Sequence, residues 1–157
     1  MISNAHAYII EAQDKEQSYQ EAINLIKNKV CKNTSCIKSI EENLNPNMAS
    51  IDGYAETIKI DQVVAIKDFC STTSINDQPK IILIQGIENI TTKAANTFLK
   101  FIEEPDQEIL FVFTTMNSES VLETIQTRCQ INRFNSQVEN TNIYVDDLIN
   151  LNPIKIP

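Results

Sequence analysis

Two segments of the chain, KIILI at residues 80–84 and ILFVFTT at residues 109–115, are apolar almost without interruption. A half-exposed strand alternates polar and apolar residues, whereas these runs have no polar face and must be buried on both sides. Between them, apolar residues recur at helical spacing from a start at Thr91 or Thr92 to a stop at Pro105. Buried strands that alternate with helices are typical of a parallel sheet covered on both faces, so the predicted fold class is α/β.

Three further strands are expected from short apolar segments elsewhere in the chain. They are predicted at residues 6–10, 48–51 and 129–134. One helix is predicted from the apolar spacing across residues 17–30, a second from an N-cap at Asp61, and a short third one that Ser118 would cap. The whole pattern predicts a five-stranded parallel sheet between two layers of helices.

Length and charge limit the classes of function. A chain of 157 residues is long enough for one domain with a substantial core. Its net charge of -8 argues against a general binder of nucleic acid or anionic membranes, because counterion release requires a basic face. No apolar run approaches the roughly 18 residues of a membrane span, and the first ten residues contain neither a basic region nor a cleavage site. We therefore expect a soluble, cytoplasmic protein without a membrane partner.

The four cysteines do not form a recognisable metal site. Cys70 and Cys129 lie in apolar stretches and are expected to be small buried side chains. Cys31 and Cys36 have a spacing at the edge of zinc-like patterns, but a structural zinc site needs four ligands and no second pair follows. His6, the only histidine, is far from them in sequence, so no metal is predicted.

Two motifs flank the strand predicted at residues 109–115. AANTFLKFIEEP precedes it at residues 94–105, and TIQTRC follows it at residues 124–129. Together they resemble the delta-prime subunits of bacterial DNA polymerase III clamp loaders, in which the corresponding blocks read AaNaLLKtLEEPp and TIxSRCq. The resemblance covers roughly residues 5–134. The matching motif residues include Glu103, Glu104, Pro105, Arg128 and Cys129.

The resemblance implies an AAA+ fold, a three-layer sandwich like that of the P-loop NTPases, over residues 1–134. It implies a subunit that supports ATP-dependent loading of the sliding clamp in DNA replication. The implied partners are the gamma/tau ATPase subunits and the delta subunit, with the clamp and primer-template DNA reached indirectly through the complex. Residues 135–157 form a polar tail, expected to be the start of a lid region or the end of a fragment, with two helical turns predicted at residues 143–151.

Arg128 is the residue to which the resemblance assigns chemistry. In the family motif, this arginine reaches across a subunit interface to the neighbour's ATP as an arginine finger. A fixed guanidinium can donate several hydrogen bonds to phosphate oxygens and stabilise the charge that develops on them. Thr127 stands where the family has serine and keeps a hydroxyl. The alternative is that Arg128 only pairs with a surface carboxylate such as Glu123.

The chain departs from the family where its own ATP site would be. A phosphate loop needs glycines, so that backbone N–H groups can wrap the phosphates, and then a lysine. Those positions, and the acidic pair that would hold Mg²⁺, are occupied by Ala12, Lys15, Gln17, Ser18, Gln85 and Gly86. Glu11, Asp14 and Glu16 would also repel a triphosphate. We therefore expect no ATP hydrolysis by this chain itself and no cofactor.

A second departure concerns the four-cysteine zinc module that delta-prime relatives usually carry after the first helix. Cys31 and Cys36 remain, but Ser39 and Glu42 stand where cysteines would continue the spacing. The module is therefore predicted to be decayed and free of metal, with the two remaining cysteines present either as thiols or as a disulfide.

Four other polar residues have plainer explanations. Lys93 and Lys100 fall nearly on one helix face, and a solvated face is favoured over contact with DNA phosphates. Thr115 and Asn117 lie near the place where AAA+ proteins keep a polar phosphate sensor. Without a phosphate site in this chain, such a sensor has nothing to detect.

Two other functions are compatible with the sequence. One is an active nucleotide hydrolase with an unconventional phosphate loop, although the acidic stretch EAQDKEQS at residues 11–18 argues against it. The other is a diverged AAA+-fold interaction module outside replication, which would keep only the fold.

Overall fold

The five predicted strands form one parallel sheet. The structure is a computed structural model and describes residues 6–73, 75, 78–105 and 108–134. The strands are β1 (Ala7–Ala12), β2 (Met48–Asp52), β3 (Lys80–Gln85), β4 (Ile109–Thr115) and β5 (Gln130–Phe134). Their order across the sheet is β2-β3-β4-β1-β5, and all neighbouring strands run parallel. The prediction of a five-stranded parallel α/β fold is confirmed.

Helices cover both faces of the sheet. They are α1 (Lys15–Val30), α2 (Thr34–Glu41), α3 (Ile60–Cys70), α4 (Thr92–Glu103) and α5 (Glu123–Gln126). The apolar side chains of α1 and α2 pack in one buried cluster, and those of α3, α4 and α5 pack in a second. Successive residues of β3 alternate between the two clusters, as Ile81 and Ile82 illustrate. The sheet is therefore the middle of three layers, which explains why its central strands are apolar on both faces.

Aromatic side chains hold α4 on the sheet. Phe98 is fully buried, and its ring meets Phe111 and Phe113 of β4 edge to face, with centroid distances of 5.6 and 5.7 Å. Ile102, one turn later, is buried as well. Edge-to-face aromatic pairs add to the stabilisation that burial provides. The C-terminal end of α4, at Glu103, is therefore fixed by the core.

The predicted N-caps at Asp61 and Ser118 are wrong. Helix α3 begins one residue before Asp61, because the Lys59 backbone N–H donates to Oε1 of Gln62 at 2.9 Å and stabilises an earlier start. Asp61 lies instead in the first turn, where its negative charge is favoured by the helix dipole. Ser118 begins a separate 3₁₀ turn that Asn117 caps, and α5 starts after that turn.

Helix α2 is not among the elements predicted from the sequence. Asn33 caps it, and the Asn33 side chain accepts a hydrogen bond from the Cys36 backbone N–H at 2.8 Å. Only Cys36 and Ile40 of this helix are buried. Two buried positions are too few to give a clear helical period, which is why the apolar pattern does not reveal the helix.

Some of the predictions concern the last residues of the chain. The polar tail at residues 135–157, with the helical turns predicted at residues 143–151, lies outside the described residues. The domain boundary at residue 134 therefore stays a prediction. Among the residues that the structure describes, no helix combines the length and the apolar character needed to cross a membrane.

Candidate functional site

The carboxyl ends of the parallel strands meet at one edge of the sheet. Glu11 of β1 is level with Thr115 of β4, and Asp52 of β2 is level with Gln85 of β3. In sheets of this kind, ligands bind beyond the carboxyl ends of the strands. This edge is therefore where a nucleotide would bind if the chain held one.

An aspartate of the chain itself caps the helix whose N-terminus faces this edge. Only Gln13 and Asp14 separate β1 from α1, and Oδ1 of Asp14 accepts a hydrogen bond from the Gln17 backbone N–H at 2.7 Å. The prediction that α1 begins at residue 17 is therefore wrong, because this cap starts the helix at Lys15. The free N–H groups at a helix N-terminus are the ones that bind phosphate. Here one of them is bound by a carboxylate of the same chain.

A second carboxylate links the ends of β1 and β5. Oε1 of Glu11 accepts a hydrogen bond from the Ser118 backbone N–H at 3.2 Å and lies 3.4 Å from Nε of Arg133. Nη2 of Arg133 also donates to the Ser118 hydroxyl at 3.3 Å. Glu11 therefore ties the end of β1 to Ser118 and to β5, and its charge is paired with that of Arg133.

Two glycines let the loops after β2 and β3 touch each other. The Gly53 backbone N–H donates to the Gln85 carbonyl at 2.7 Å, and a Cβ on Gly53 would lie 2.6 Å from the carbonyl oxygens of Gln85 and Gly86. Gly86 has a φ of 67°, in the left-handed region that favours glycine. Its N–H donates to the hydroxyl of Thr114 in β4 at 3.2 Å. The ends of β2, β3 and β4 are thus tied together at this edge.

Tyr54 lies against Gly86, one of the two residues that the sequence analysis places where the family has an acidic pair. Its ring packs on Gly86, with Cδ1 3.1 Å from the place where a Cβ would be. Burial, and then the charge of Glu88, raise the pKa of the Tyr54 phenol. The phenol oxygen and Oε1 of Glu88 are both buried and make no hydrogen bond of normal geometry. A cavity of about 350 Å³ beside the ring is lined by Lys15, Glu16, Tyr19, Asp52, Tyr54 and Gln85.

Arg128 lies just after α5. Its backbone N–H donates to the carbonyl of the fully buried Ile125 at 3.1 Å, so the core holds the backbone in place. The side chain is exposed, with 34% of its surface accessible. Nη1 donates to the Thr124 carbonyl at 2.8 Å and to the Thr127 hydroxyl at 3.3 Å. The threonine that replaces the family serine therefore contacts the arginine directly.

Glu103, the last residue of α4, is the carboxylate that pairs with Arg128. Its Oε2 is in contact with both Nε and Nη2 of the guanidinium. The alternative in the sequence analysis is that Arg128 pairs with a surface carboxylate such as Glu123. Such a pair is present, but its carboxylate is Glu103 and not Glu123. Glu104 follows as the C-cap of α4, with its N–H donating to the Lys100 carbonyl at 3.1 Å, and Pro105 prevents the helix from continuing.

Cys31 and Cys36 are joined by a disulfide between the end of α1 and the first turn of α2. The Ser39 hydroxyl donates to the Cys36 carbonyl at 2.7 Å, and Glu42 is the C-cap of α2. Within residues 6–73, 75, 78–105 and 108–134, no group of three or more His, Cys, Asp or Glu side chains is arranged to hold a metal ion.

Of the four remaining polar candidates, two stabilise the local structure and two are exposed lysines. The Thr115 hydroxyl donates to the Asn117 carbonyl at 3.0 Å, and the Asn117 side chain caps the next turn by accepting from the Glu119 N–H at 3.0 Å. Lys93 and Lys100 of α4 are both exposed. These four residues therefore do not add to the contacts around Arg128.

Cys70 and Cys129 lie outside the disulfide. The prediction that both are buried holds for Cys70, whereas Cys129 is partly buried, and we expect both to be unreactive. Burial raises the pKa of Cys129 to about 12, an effect that the Arg128 charge only partly offsets, and it raises the pKa of Cys70 to about 11. The thiolate is the reacting form. We expect iodoacetamide at pH 8 to leave both cysteines unmodified in the folded chain and to modify both in urea, as measured by mass spectrometry. Rapid modification of Cys129 without urea would contradict this expectation.

Sequence comparison then identifies the family. The sequence model of one family, described as DNA polymerase III, delta subunit, matches residues 3–138. The chain belongs to this family. The delta′ subunit of Bacillus subtilis DNA polymerase III is 28% identical over 134 residues, which are 80% of this chain and 41% of that protein. The delta′ subunit of Haemophilus influenzae is 36% identical over 86 residues, which are 55% of this chain and 26% of that protein. The chain thus spans less than half the length of these delta′ relatives.

Three solved structures share the fold of this chain. A DNA polymerase III gamma subunit-related protein from Thermotoga maritima has a TM-score of 0.67 at 25% identity, covering 88% of this chain and 44% of that one. The Bacillus subtilis clamp loader delta protein has a TM-score of 0.53 at 12% identity, covering 83% and 39%. RuvB of the same Thermotoga species has a TM-score of 0.52 at 14% identity, covering 82% and 38%. The predicted AAA+ fold and the resemblance to delta-prime subunits are confirmed.

Proposed function

We propose that this chain is a non-hydrolysing subunit of the DNA polymerase III clamp loader and that it supplies Arg128 to the ATP of a neighbouring subunit. Membership of the delta subunit family supports the clamp-loader part. The role proposed for Arg128 rests on one observation: its guanidinium is exposed, while its backbone is held by the buried Ile125. A charged donor group on a rigid, solvent-facing site is suited to act on a partner's phosphates.

The residues at the strand ends support the absence of ATP hydrolysis. The Asp14 carboxylate binds an N–H group of α1, and the second carboxylate at the strand ends, Glu11, is paired with Arg133. Beside them, Tyr54 packs on Gly86, where a carboxylate would be needed for Mg²⁺. A triphosphate would meet the negative charge of Asp14, would have to compete for one of the backbone donors of α1, and would lack the carboxylate that holds its metal.

The chemistry of Arg128 supports a role across an interface. Phosphoryl transfer depends on stabilising charge spread over the γ-phosphate oxygens, and an arginine supplied by a second subunit provides this. The proposed recipients are the gamma/tau ATPase subunits, and the delta subunit is the other proposed neighbour. The sliding clamp and primer-template DNA would be reached through the complex. The proposed place of action is the cytoplasm, beside the replicating DNA.

The isolated chain should not bind Mg²⁺-ATP in the micromolar range. The reasons are that Asp14 occupies a backbone N–H that a phosphate would use, and that Tyr54 packs on Gly86, where the family's metal-binding carboxylate is expected. Isothermal titration calorimetry is expected to show no one-to-one isotherm. In addition, millimolar ATP should leave the urea midpoint unchanged, whereas a ligand present at about 100 times its Kd would add about 2.7 kcal/mol of stability.

A clamp-loader gamma subunit with an intact phosphate loop is the positive control for both measurements. A micromolar isotherm for this chain would contradict the proposed loss of ATP binding and would favour the hydrolase alternative.

A further inference from the structure

We propose that Glu103 is a positioning residue that orients the Arg128 guanidinium for its neighbour's ATP, an inference that rests on the function proposed for Arg128. The two residues are 25 positions apart in the chain and come together only because α4 and α5 pack on the same face of the sheet. Oε2 of Glu103 contacts both Nε and Nη2 of the arginine. A charged oxygen shared by two nitrogens on one edge of the guanidinium restricts the position of the group and the direction in which that edge faces.

Two helices supply the acceptors around Arg128. Glu103 is the last residue of α4, where the helix dipole also favours a cation. The carbonyl of Thr124 in α5 accepts from Nη1 at 2.8 Å on the opposite side of the guanidinium. The side chain is thus held between two acceptors that belong to different helices.

Both acceptors belong to helices that are packed firmly in the core. Phe98 and Ile102 of α4 are 0% and 1% exposed, and Ile125 of α5 is 0% exposed. A flexible arginine would have to be ordered each time an ATP site is completed, whereas one held in advance needs little reorganisation. The pairing with Glu103 is therefore suited to preorganise the guanidinium before the transition state forms.

The pairing leaves the arginine able to reach a phosphate. A guanidinium has five N–H groups, and the four contacts of Arg128 to Glu103, Thr124 and Thr127 can use at most four of them. The pair is also open to solvent, with 34% of the Arg128 side chain and 44% of the Glu103 side chain accessible. At least one N–H group, on Nη2, is therefore left for a phosphate of a neighbouring subunit.

The test replaces Glu103 in a clamp loader reconstituted from the full chain and its ATPase partners. Glu103→Gln keeps an oxygen acceptor and removes the charge. Because a misplacement of about 1 Å can cost about 100-fold in rate, we expect kcat at the contacted site to fall roughly 10- to 100-fold. The KM for ATP should not change, because the contact matters only in the transition state.

Glu41→Gln is the matched control. Glu41 is the last residue of α2, is paired with Lys27 at 2.6 Å and is half exposed, like Glu103, but it lies on the opposite face of the sheet. This variant should keep the wild-type rate. The double variant Arg128→Ala/Glu103→Gln should be no slower than Arg128→Ala, because Glu103 acts only through the arginine.

The outcomes separate the two proposals. If Arg128→Ala is slow and Glu103→Gln has the wild-type rate, the positioning role is wrong and the function proposed for Arg128 remains. If Glu103→Gln is faster than wild type, the carboxylate competes with ATP for the guanidinium, and the positioning role is again wrong. If Arg128→Ala itself has the wild-type rate, the proposed function fails.

Discussion

Replacing Phe98 with alanine is expected to lower the free energy of unfolding of the chain by about 3–5 kcal/mol. The ring is fully buried and meets Phe111 and Phe113 of β4 edge to face. Truncation removes that apolar surface and leaves a cavity between α4 and the sheet, which the surrounding strands can close only in part. The aromatic pairs are lost as well, each worth about 0.5–1.5 kcal/mol in other proteins.

Urea unfolding followed by circular dichroism measures this loss. The matched control is Val64→Ala in α3, where the side chain is 46% exposed, and its free energy of unfolding should change by less than about 0.5 kcal/mol. The dependence of the unfolding free energy on urea concentration (the m-value) should be the same for both variants and the wild type. A loss below about 1 kcal/mol for Phe98→Ala would show that α4 is not packed on β4 as described.

The sheet could be predicted because its central strands are apolar on both faces. The strand predicted at residues 109–115 has those same bounds in the structure, since every side chain in it is buried. The edge strand β2 is only partly buried, yet its predicted position at residues 48–51 differs from the observed one by a single residue. Burial on both faces leaves a strong sequence signal, and a turn such as that at Gly53 supplies the boundary.

The helix ends were harder to predict because they depend on single hydrogen bonds. Asp14 with Gln17 three residues later is a recognisable capping pattern, and it could have located the start of α1. By contrast, the start of α3 depends on Gln62 binding the Lys59 N–H, where lysine is not a typical cap.

The site could be predicted only in part. Arg128 could be predicted because it and the residues beside it form the TIQTRC motif, which can be recognised in the sequence alone. Its carboxylate partner does not follow from the sequence, since Glu103 approaches it only through the packing of α4 and α5. The contact between Tyr54 and Gly86 could not be predicted either, because it joins loops that follow two different strands.

Removing the Arg128 guanidinium should have the largest effect on activity. An arginine supplied across an interface contributes roughly 10³–10⁵ in rate where this has been measured. Arg128→Ala removes the charge and all the donors. Arg128→Lys keeps a charge but loses the planar set of donors that contacts Glu103 and Thr124, so it should also be strongly impaired. Neither change should unfold the chain, because the side chain is exposed.

The stability of both variants is first compared with that of the wild type by urea unfolding, and their assembly with the ATPase subunits by gel filtration. These controls separate a loss of chemistry from a loss of structure. Glu41→Gln again serves as the surface control, because it breaks an exposed ion pair on the other face of the sheet.

The most direct test of the trans-acting role is the DNA-stimulated ATPase rate of a clamp loader reconstituted with wild type, Arg128→Ala or Arg128→Lys. We expect normal assembly with all three, a rate at the contacted site about 10³-fold or more below wild type for Arg128→Ala, and a clear loss for Arg128→Lys. If both variants assemble normally and hydrolyse ATP at the wild-type rate, Arg128 is only a surface arginine paired with Glu103, and the trans-acting role is wrong.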